Sequence, residues 1–136
     1  MSDFPTSARV VIIGGGAVGA SALYHLCKAG WTDCVLLEKN ELTAGSTWHA
    51  AGNVPTFSSS WSIMNMQRYS AELYRRLGDE VDYPMNYNVT GSVRLGHTKE
   101  RLQEFQKVVG MGRYQGMDLN ILSPEDIKKV YPFVET

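Results

Sequence analysis

A buried strand that breaks into glycine and resumes as a helix leaves few folds open, and this sequence contains one near its start. Val10-Val11-Ile12-Ile13 is a β-branched run, the heart of a strand from Arg9 to Ile13 that is expected to be buried on both faces. Gly14-Gly15-Gly16 ends it at once. From Ala17 to Ala29 come helix formers with Val18, Ala22, Leu23 and Leu26 on one face, and Gly30 provides the stop. Asp33 to Glu38 is a second apolar run, Val35-Leu36-Leu37, that closes on a carboxylate. Strand, helix and strand in this order predict a βαβ unit with a right-handed crossover.

Gly14-Gly15-Gly16-Ala17-Val18-Gly19 satisfies GxGxxG in the context that gives the motif meaning, between a buried strand and a helix start. Gly14 permits the tight turn, Gly16 lets backbone approach a pyrophosphate, and Gly19 lets the helix pack on the strand. Free N–H groups at the helix start would hold the anion, aided by the helix dipole. Glu38 stands 19 residues after Gly19, where a carboxylate can accept hydrogen bonds from ribose hydroxyls. The bland alternative is a glycine-rich turn with a surface glutamate after the strand, but the pairing of loop and acid favours dinucleotide binding. A carboxylate here would repel a 2′-phosphate, which disfavours NADP; NAD and FAD both stay open at this step.

The 136 residues, 43% hydrophobic and 20% charged with a net charge of −1, have ordinary globular composition and no basic block. Neither nucleic acid nor an anionic membrane surface is expected as a partner. Cys27 and Cys34, seven residues apart, fit neither a metal pair nor a redox CxxC motif and are expected to be buried, reduced thiols. No metal site is expected. The N-terminus has no signal-peptide or transit-peptide character, so a cytoplasmic protein is expected, or a mitochondrial-matrix one if a presequence has been removed.

After Glu38 the chain turns to Gly, Ser, Thr and Ala through Thr43 to Gly52, and then to a loop from Asn53 to Ser60. Met66, Tyr69, Leu73 and Leu77 predict an amphipathic helix from about Trp61 to Leu77. Gly91-Ser-Val-Arg-Leu95 alternates like a strand with one wet face, and Leu119 to Leu122 reads as a short apolar strand. Leu102, Phe105 and Val109 mark a helix from about Lys99, and Ser123-Pro124-Glu125-Asp126 has the cap, proline and acids of a helix start. His25 and His97 carry no motif and are expected to be structural or solvent-facing; Trp61, Tyr69 and Tyr74 could border a cofactor, but helix packing is the expectation for them.

The stretch Glu38-Lys39-Asn-Glu-Leu-Thr-Ala-Gly45-Ser46-Thr47-Trp48-His49-Ala50-Ala51-Gly52 resembles the FAD-dependent dimethylglycine and sarcosine dehydrogenases, within the D-amino-acid-oxidase-like flavoproteins. The likeness extends through Gly14 to Gly19, Gly91 to Leu95 and the Leu122-Ser-Pro-Glu tract before Tyr131-Pro132. Small residues suit such a segment, because a loop can run close to a cofactor only where Ala44 and Gly45 leave space, and Ser46 and Thr47 offer hydroxyls to phosphate or flavin. The resemblance implies FAD as cofactor, and at His49 a covalent bond to the 8α-methyl carbon of the flavin. Together with the glycine motif it implies a cofactor-binding set of Gly14, Gly15, Gly16, Ala17, Val18, Gly19, Glu38, Lys39, Gly45, Ser46, Thr47, Trp48, His49, Ala50, Ala51 and Gly52.

The fold class implied is α/β: a Rossmann-like FAD-binding βαβ unit with its flavin-contact loop over residues 1–55, then over 56–136 the start of an α+β flavoprotein region, the whole an incomplete domain. The implied activity is oxidation of N-methyl groups of small amino acids such as dimethylglycine or sarcosine. Catalytic residues are expected beyond Thr136, and folate is implied only for a C-terminal region that this sequence lacks. The partners expected are a small N-methylated amine and the remainder of the enzyme, as continuing chain or as a partner chain. A second class is a non-catalytic FAD-binding subunit or regulatory relative; His49 speaks for the enzyme and the stop at Thr136 for the subunit.

Overall fold

Two short parallel strands and the helix between them arise where the β-branched and helix-forming runs place them. The computed structural model describes residues 5–135, whose contacts divide after Asn53. Met1 to Phe4, which bear on the expectation about a leader segment, lie outside the described residues. In the first segment β1 (Val10–Ile13) leads into α1 (Ala17–Lys28) and then into β2 (Cys34–Leu37). The strands pair in parallel with Val10 opposite Cys34 and Ile13 opposite Leu37, and the ladder continues one step beyond β1, where the Gly14 N–H donates to the Leu37 carbonyl at 2.8 Å.

Helix α1 covers one side of this pair. Of the expected face Leu23 and Leu26 are half-buried, with Gly19 beside them, while Val18 and Ala22 are exposed, so the face is turned towards Gly19. Helix and strand meet so closely that a Cβ on Gly19 would overlap the Gly14 carbonyl oxygen and stand 3.4 Å from Ile12 Cγ2. The expectation of a strand buried on both faces needs correction. Val10 and Ile12 are half-buried, but Val11 is 51% and Ile13 88% exposed. A β-branched run specifies a strand whose two faces can both be covered, and α1 covers only one. The thiols also depart from expectation, since Cys27 is exposed and Cys34 half-buried, its Sγ–H donating to the Trp31 carbonyl at 3.3 Å. A cysteine near the end of a single covering helix has no second layer to bury it.

In the second segment α2 (Trp61–Val81), α3 (Lys99–Tyr114) and α4 (Pro124–Val130) follow in order. Helix α2 runs four residues beyond the expected end at Leu77 and stops where Asp82 takes a left-handed conformation, with the Tyr83 N–H on the Gly78 carbonyl at 3.0 Å. Of the expected stripe Leu73 is buried and Leu77 half-buried, but Met66 and Tyr69 are exposed, and Met64 and Ala71 are buried in their place. Tyr74 is half-buried and its ring lies 5.8 Å from that of Tyr87. Helix α3 begins with the Thr98 hydroxyl accepting from the Arg101 N–H, and α4 as expected with Ser123 Oγ accepting from the Asp126 N–H at 3.1 Å and Pro124 in the first turn.

The strands expected at Gly91 to Leu95 and at Leu119 to Leu122 are not formed: among the described residues only β1 and β2 pair. Alternation tells which way side chains face, but a strand needs a neighbour about 4.8 Å away to take its N–H and C=O groups. What these residues have instead are side-chain contacts. The Tyr131 hydroxyl donates at 3.0 Å to the carbonyl of Thr90, the residue just before Gly91, and Leu119 lies against Gly112 of α3 so closely that a Cβ there would overlap it. Among the described residues no helix is long and apolar enough to cross a membrane.

Gly19→Ala is expected to lower stability by about 1–3 kcal/mol, the usual cost of forcing a methyl into a filled contact. Gly45→Ala, where nothing lies within 4 Å of an added Cβ, should shift it by less than about 1 kcal/mol. Urea unfolding of both variants checks this, and equal stabilities would remove the helix–strand contact as the reason for glycine at position 19.

Candidate functional site

The end of β1, the start of α1 and the end of β2 meet at the glycine turn, and everything there is arranged around backbone N–H groups. Gly14 takes a φ of +107°, with no atom within 4 Å of where a Cβ would stand. This bends the chain so that Gly15 becomes buried under Glu38 and Leu42; a Cβ on it would overlap the Leu42 side chain and come within 3.2 Å of Glu38 Cβ. The Gly15 N–H donates to Glu38 Oε2 at 2.7 Å, and the Asn40 N–H to Oε1 at 2.9 Å. These donors, Gly15 first and then Asn40, hold the half-buried Glu38 carboxyl below its ordinary value of 4.5. Each carboxylate oxygen has taken one bond, and about two of its roughly four acceptor positions stay open.

Helix α1 starts without a cap of its own. Gly16 stands at the N-cap with extended backbone and no side chain, and the first turn carries no acid. The missing acceptor comes from Thr47, whose Oγ1 receives the Ala17 N–H at 2.9 Å. A Cβ on Gly16 would come within 2.9 Å of that same oxygen, so glycine here gives Thr47 access to the helix end. Val18 and Gly19 follow in the first turn, where N–H groups have no intrahelical acceptor. The sequence reading expected free N–H groups at the helix start to hold an anion; the structure commits those of Gly15 and Ala17 to side chains and leaves Val18 and Gly19 in the first turn.

Residues 42–49 form consecutive turns rather than a helix or strand. The Thr43 N–H donates to the Gly15 carbonyl at 3.1 Å, and Thr43 takes a φ of +67°. The Trp48 N–H closes the turn on the carbonyls of Thr43, at 3.0 Å, and Gly45, at 3.2 Å. His49 Nδ1 lies 3.0 Å from the Gly45 carbonyl oxygen. The structure therefore joins Glu38 to Gly15, and Thr47 to Gly16 and Ala17, around the turn that begins at Gly14, and ties His49 to Gly45 in the adjoining turn. Lys39, Ser46, Trp48, Ala50, Ala51 and Gly52 are exposed along the same segment, Trp48 at 78%. Sequence reasoning missed Asn40, Leu42 and Thr43, and it gave Thr47 a ligand role without the helix-capping one. A helix start with Gly at the N-cap and no acid in its first turn was the available signal for an acceptor brought from elsewhere.

Of the residues named outside the motifs, His25 bonds the Ser21 carbonyl through Nδ1 at 2.7 Å, and His97, Trp61 and Tyr69 are exposed. In the second segment a depression of about 470 Å³ lies between the end of α2 and residues 82–89, bordered by Tyr74, Tyr83 and Tyr87. Among the described residues no group of three or more His, Cys, Asp or Glu side chains could hold a metal ion.

Because the Gly15 and Asn40 N–H groups bind the ionised form of Glu38, its stabilising effect is fully present above pH 4.5 and is lost as pH falls through the depressed folded value. The stability difference between wild type and Glu38→Gln is expected to be flat above about pH 6 and to shrink towards about pH 3. Paired urea titrations measure it, and a difference that does not shrink would detach Glu38 from the turn.

The family model described as FAD dependent oxidoreductase (DAO) matches residues 9–136. The chain is 43% identical over 132 residues to the mitochondrial dimethylglycine dehydrogenase of Rattus norvegicus, covering 97% of this chain and 15% of that protein. It is 38% identical to the mitochondrial pyruvate dehydrogenase phosphatase regulatory subunit of Mus musculus, covering 96% and 15%, and 33% identical to the mitochondrial sarcosine dehydrogenase of Homo sapiens, covering 96% and 14%. The chain thus spans about a seventh of the length of these relatives. Among solved structures, the L-amino acid deaminase from Proteus vulgaris matches with a TM-score of 0.76 at 20% identity, over 90% of this chain and 30% of that one, which shows a shared fold over part of a domain. The chain belongs to the DAO family of FAD-dependent oxidoreductases.

Proposed function

We propose that this chain is the N-terminal, FAD-binding portion of a flavin-dependent amine dehydrogenase that oxidises N-methyl groups of small amino acids such as dimethylglycine or sarcosine. In this reading residues 1–55 form the FAD-binding unit with its flavin-contact loop, and 56–136 begin the rest of the flavoprotein fold. The single observation that carries the reading is the setting of His49. A carbonyl can only accept, so the Gly45 oxygen 3.0 Å from Nδ1 keeps the proton of the neutral ring on Nδ1. The lone pair is then at Nε2, on an exposed side chain, where it can act as a nucleophile.

The turn fits the rest of a dinucleotide. The first-turn N–H groups of Val18 and Gly19 would meet the pyrophosphate, and the open acceptor positions of Glu38 would take ribose hydroxyls. Lys39, Ser46, Trp48, Ala50, Ala51 and Gly52 would border the cofactor along the exposed segment. When bound, FAD supplies the acceptor for the hydride equivalents of the amine. Nε2 of His49 would hold the flavin by a covalent bond to its 8α carbon, made with loss of two protons and of one electron pair to an oxidant. The substrate class is that named for two of the relatives, and the relatives named mitochondrial favour the matrix over the cytoplasm. A second reading, a regulatory FAD-binding subunit, is favoured by the likeness to a phosphatase regulatory subunit.

Tryptic digestion of the full-length enzyme is expected to yield a fluorescent peptide containing His49, heavier than the bare peptide by about one FAD less two hydrogens. His49→Ala should keep dissociable FAD with lowered turnover. A full-length protein that releases all of its flavin on denaturation would exclude His49 as the attachment point and favour the regulatory reading.

Gly16→Val is expected to remove FAD binding more completely than Glu38→Ala does, because a branched side chain fills the space over the turn and collides with Thr47. Glu38→Gln should be milder than Glu38→Ala. Calorimetric titration of the apoprotein with FAD gives the ranking, and near-native affinity in Gly16→Val would reduce the glycine loop to a turn.

A further inference from the structure

Of residues 41 to 50, Thr47 alone is not exposed. The rest of that segment lies open, and this one side chain points inward, to the N–H of Ala17 thirty residues earlier. The segment is held to the glycine turn twice. At its beginning the Thr43 N–H donates to the Gly15 carbonyl at 3.1 Å, and near its end Thr47 Oγ1 accepts from Ala17 at 2.9 Å. Between the two ties the chain is closed on itself by the Trp48 N–H on the Thr43 and Gly45 carbonyls. His49 follows Thr47 by two residues, with the Ala50 N–H on the Thr47 carbonyl at 3.3 Å and its own ring on Gly45.

We propose that Thr47 is a positioning residue for His49: by capping α1 its hydroxyl fixes the histidine turn to the phosphate-binding turn, and so sets where Nε2 stands relative to a dinucleotide held by that same helix start. The inference rests on the reading of His49 as the attachment point. Its chemistry is specific to the hydroxyl. Valine has nearly the same shape and cannot accept a hydrogen bond, so it would leave the Ala17 N–H without its acceptor and free the end of the turn that carries His49. The tie at Thr43 and the bond between Glu38 and Gly15 would stay intact. Covalent attachment is sensitive to such a change, because a misplacement of about 1 Å between reacting atoms costs on the order of a hundredfold in rate. Dinucleotide binding, spread over several donors and Glu38, is less so.

The test uses full-length enzyme produced without flavin and then supplied with FAD. The measured quantities are the rate at which bound flavin becomes resistant to acid precipitation and the acid-stable fraction of all bound flavin, so that weaker binding or partial folding cancels. Thr47→Val is expected to slow attachment by roughly tenfold or more, and Thr47→Ser to stay within about threefold of wild type. Gly16→Ala, whose Cβ would press on Thr47 Oγ1, is the second variant and should also slow attachment, which keeps the test decisive if Thr47→Val does not accumulate. Attachment at the wild-type rate in either slowed variant overturns the proposal, as does equal slowing in Thr47→Val and Thr47→Ser. A wild-type enzyme with no acid-stable flavin overturns the reading of His49 itself, and the role of Thr47 with it.

Discussion

The approach of α1 to the end of β1, with no side chain between Gly19 and the Gly14 carbonyl, is the constraint on which the other features of the first segment depend. It places the first turn of the helix directly over the last peptide of the strand. The chain must then reverse within Gly14 to Gly16, which requires the positive φ at Gly14 and buries Gly15. Once Gly15 is buried its N–H needs an acceptor, and the nearest chain is the one leaving the parallel neighbour β2, where Glu38 stands. One close packing contact thus dictates the glycines, the acid after β2 and the direction in which the helix start points.

The donors at this turn are divided in a way that a binding site needs. A loop that satisfied every N–H internally would have nothing to offer an anion, and one that satisfied none would have no defined geometry in the free protein. Here Gly15 and Ala17 donate to side chains brought from β2 and from the segment after it, while Val18 and Gly19 occupy the first turn, where orphan donors are inherent to any helix. The two internal bonds are also the means by which distant sequence reports on the turn. Glu38 links it to the sheet, Thr47 to the histidine segment.

What could be read from the sequence, and what could not, follows from the range of each interaction. The β1–α1–β2 order, the glycine motif and the Ser123 cap rest on local signals, a hydrophobic period or a residue type within a few positions, and these stand where expected. The strands expected around Val93 and Ile121 failed because pairing is a property of two segments, and alternation in one says nothing of a partner. Helix faces were misjudged in part, at Val18 and along Met66 and Tyr69, since apolar spacing gives the period but the layer it meets decides the phase. Leu42, Asn40 and Thr43 were invisible for the same reason. They act through backbone groups or through contact with Gly15, and nothing in their residue type announces that.

Range also separates the polar geometry of the site from the stability of the fold around it. The bonds that shape the glycine turn all close within some thirty residues, and they are formed here. The sheet is another matter: among the described residues its two strands of four residues have no partner at their outer edges, and Val11, Ile13 and Leu37 are exposed. The buried hydrophobic side chains among the described residues, Met64, Ala71 and Leu73, all belong to α2, and none lies in the sheet. The glycine turn can therefore take its form from local bonds alone, whereas the layer on which it stands leaves one face of β1 and β2 uncovered among the described residues.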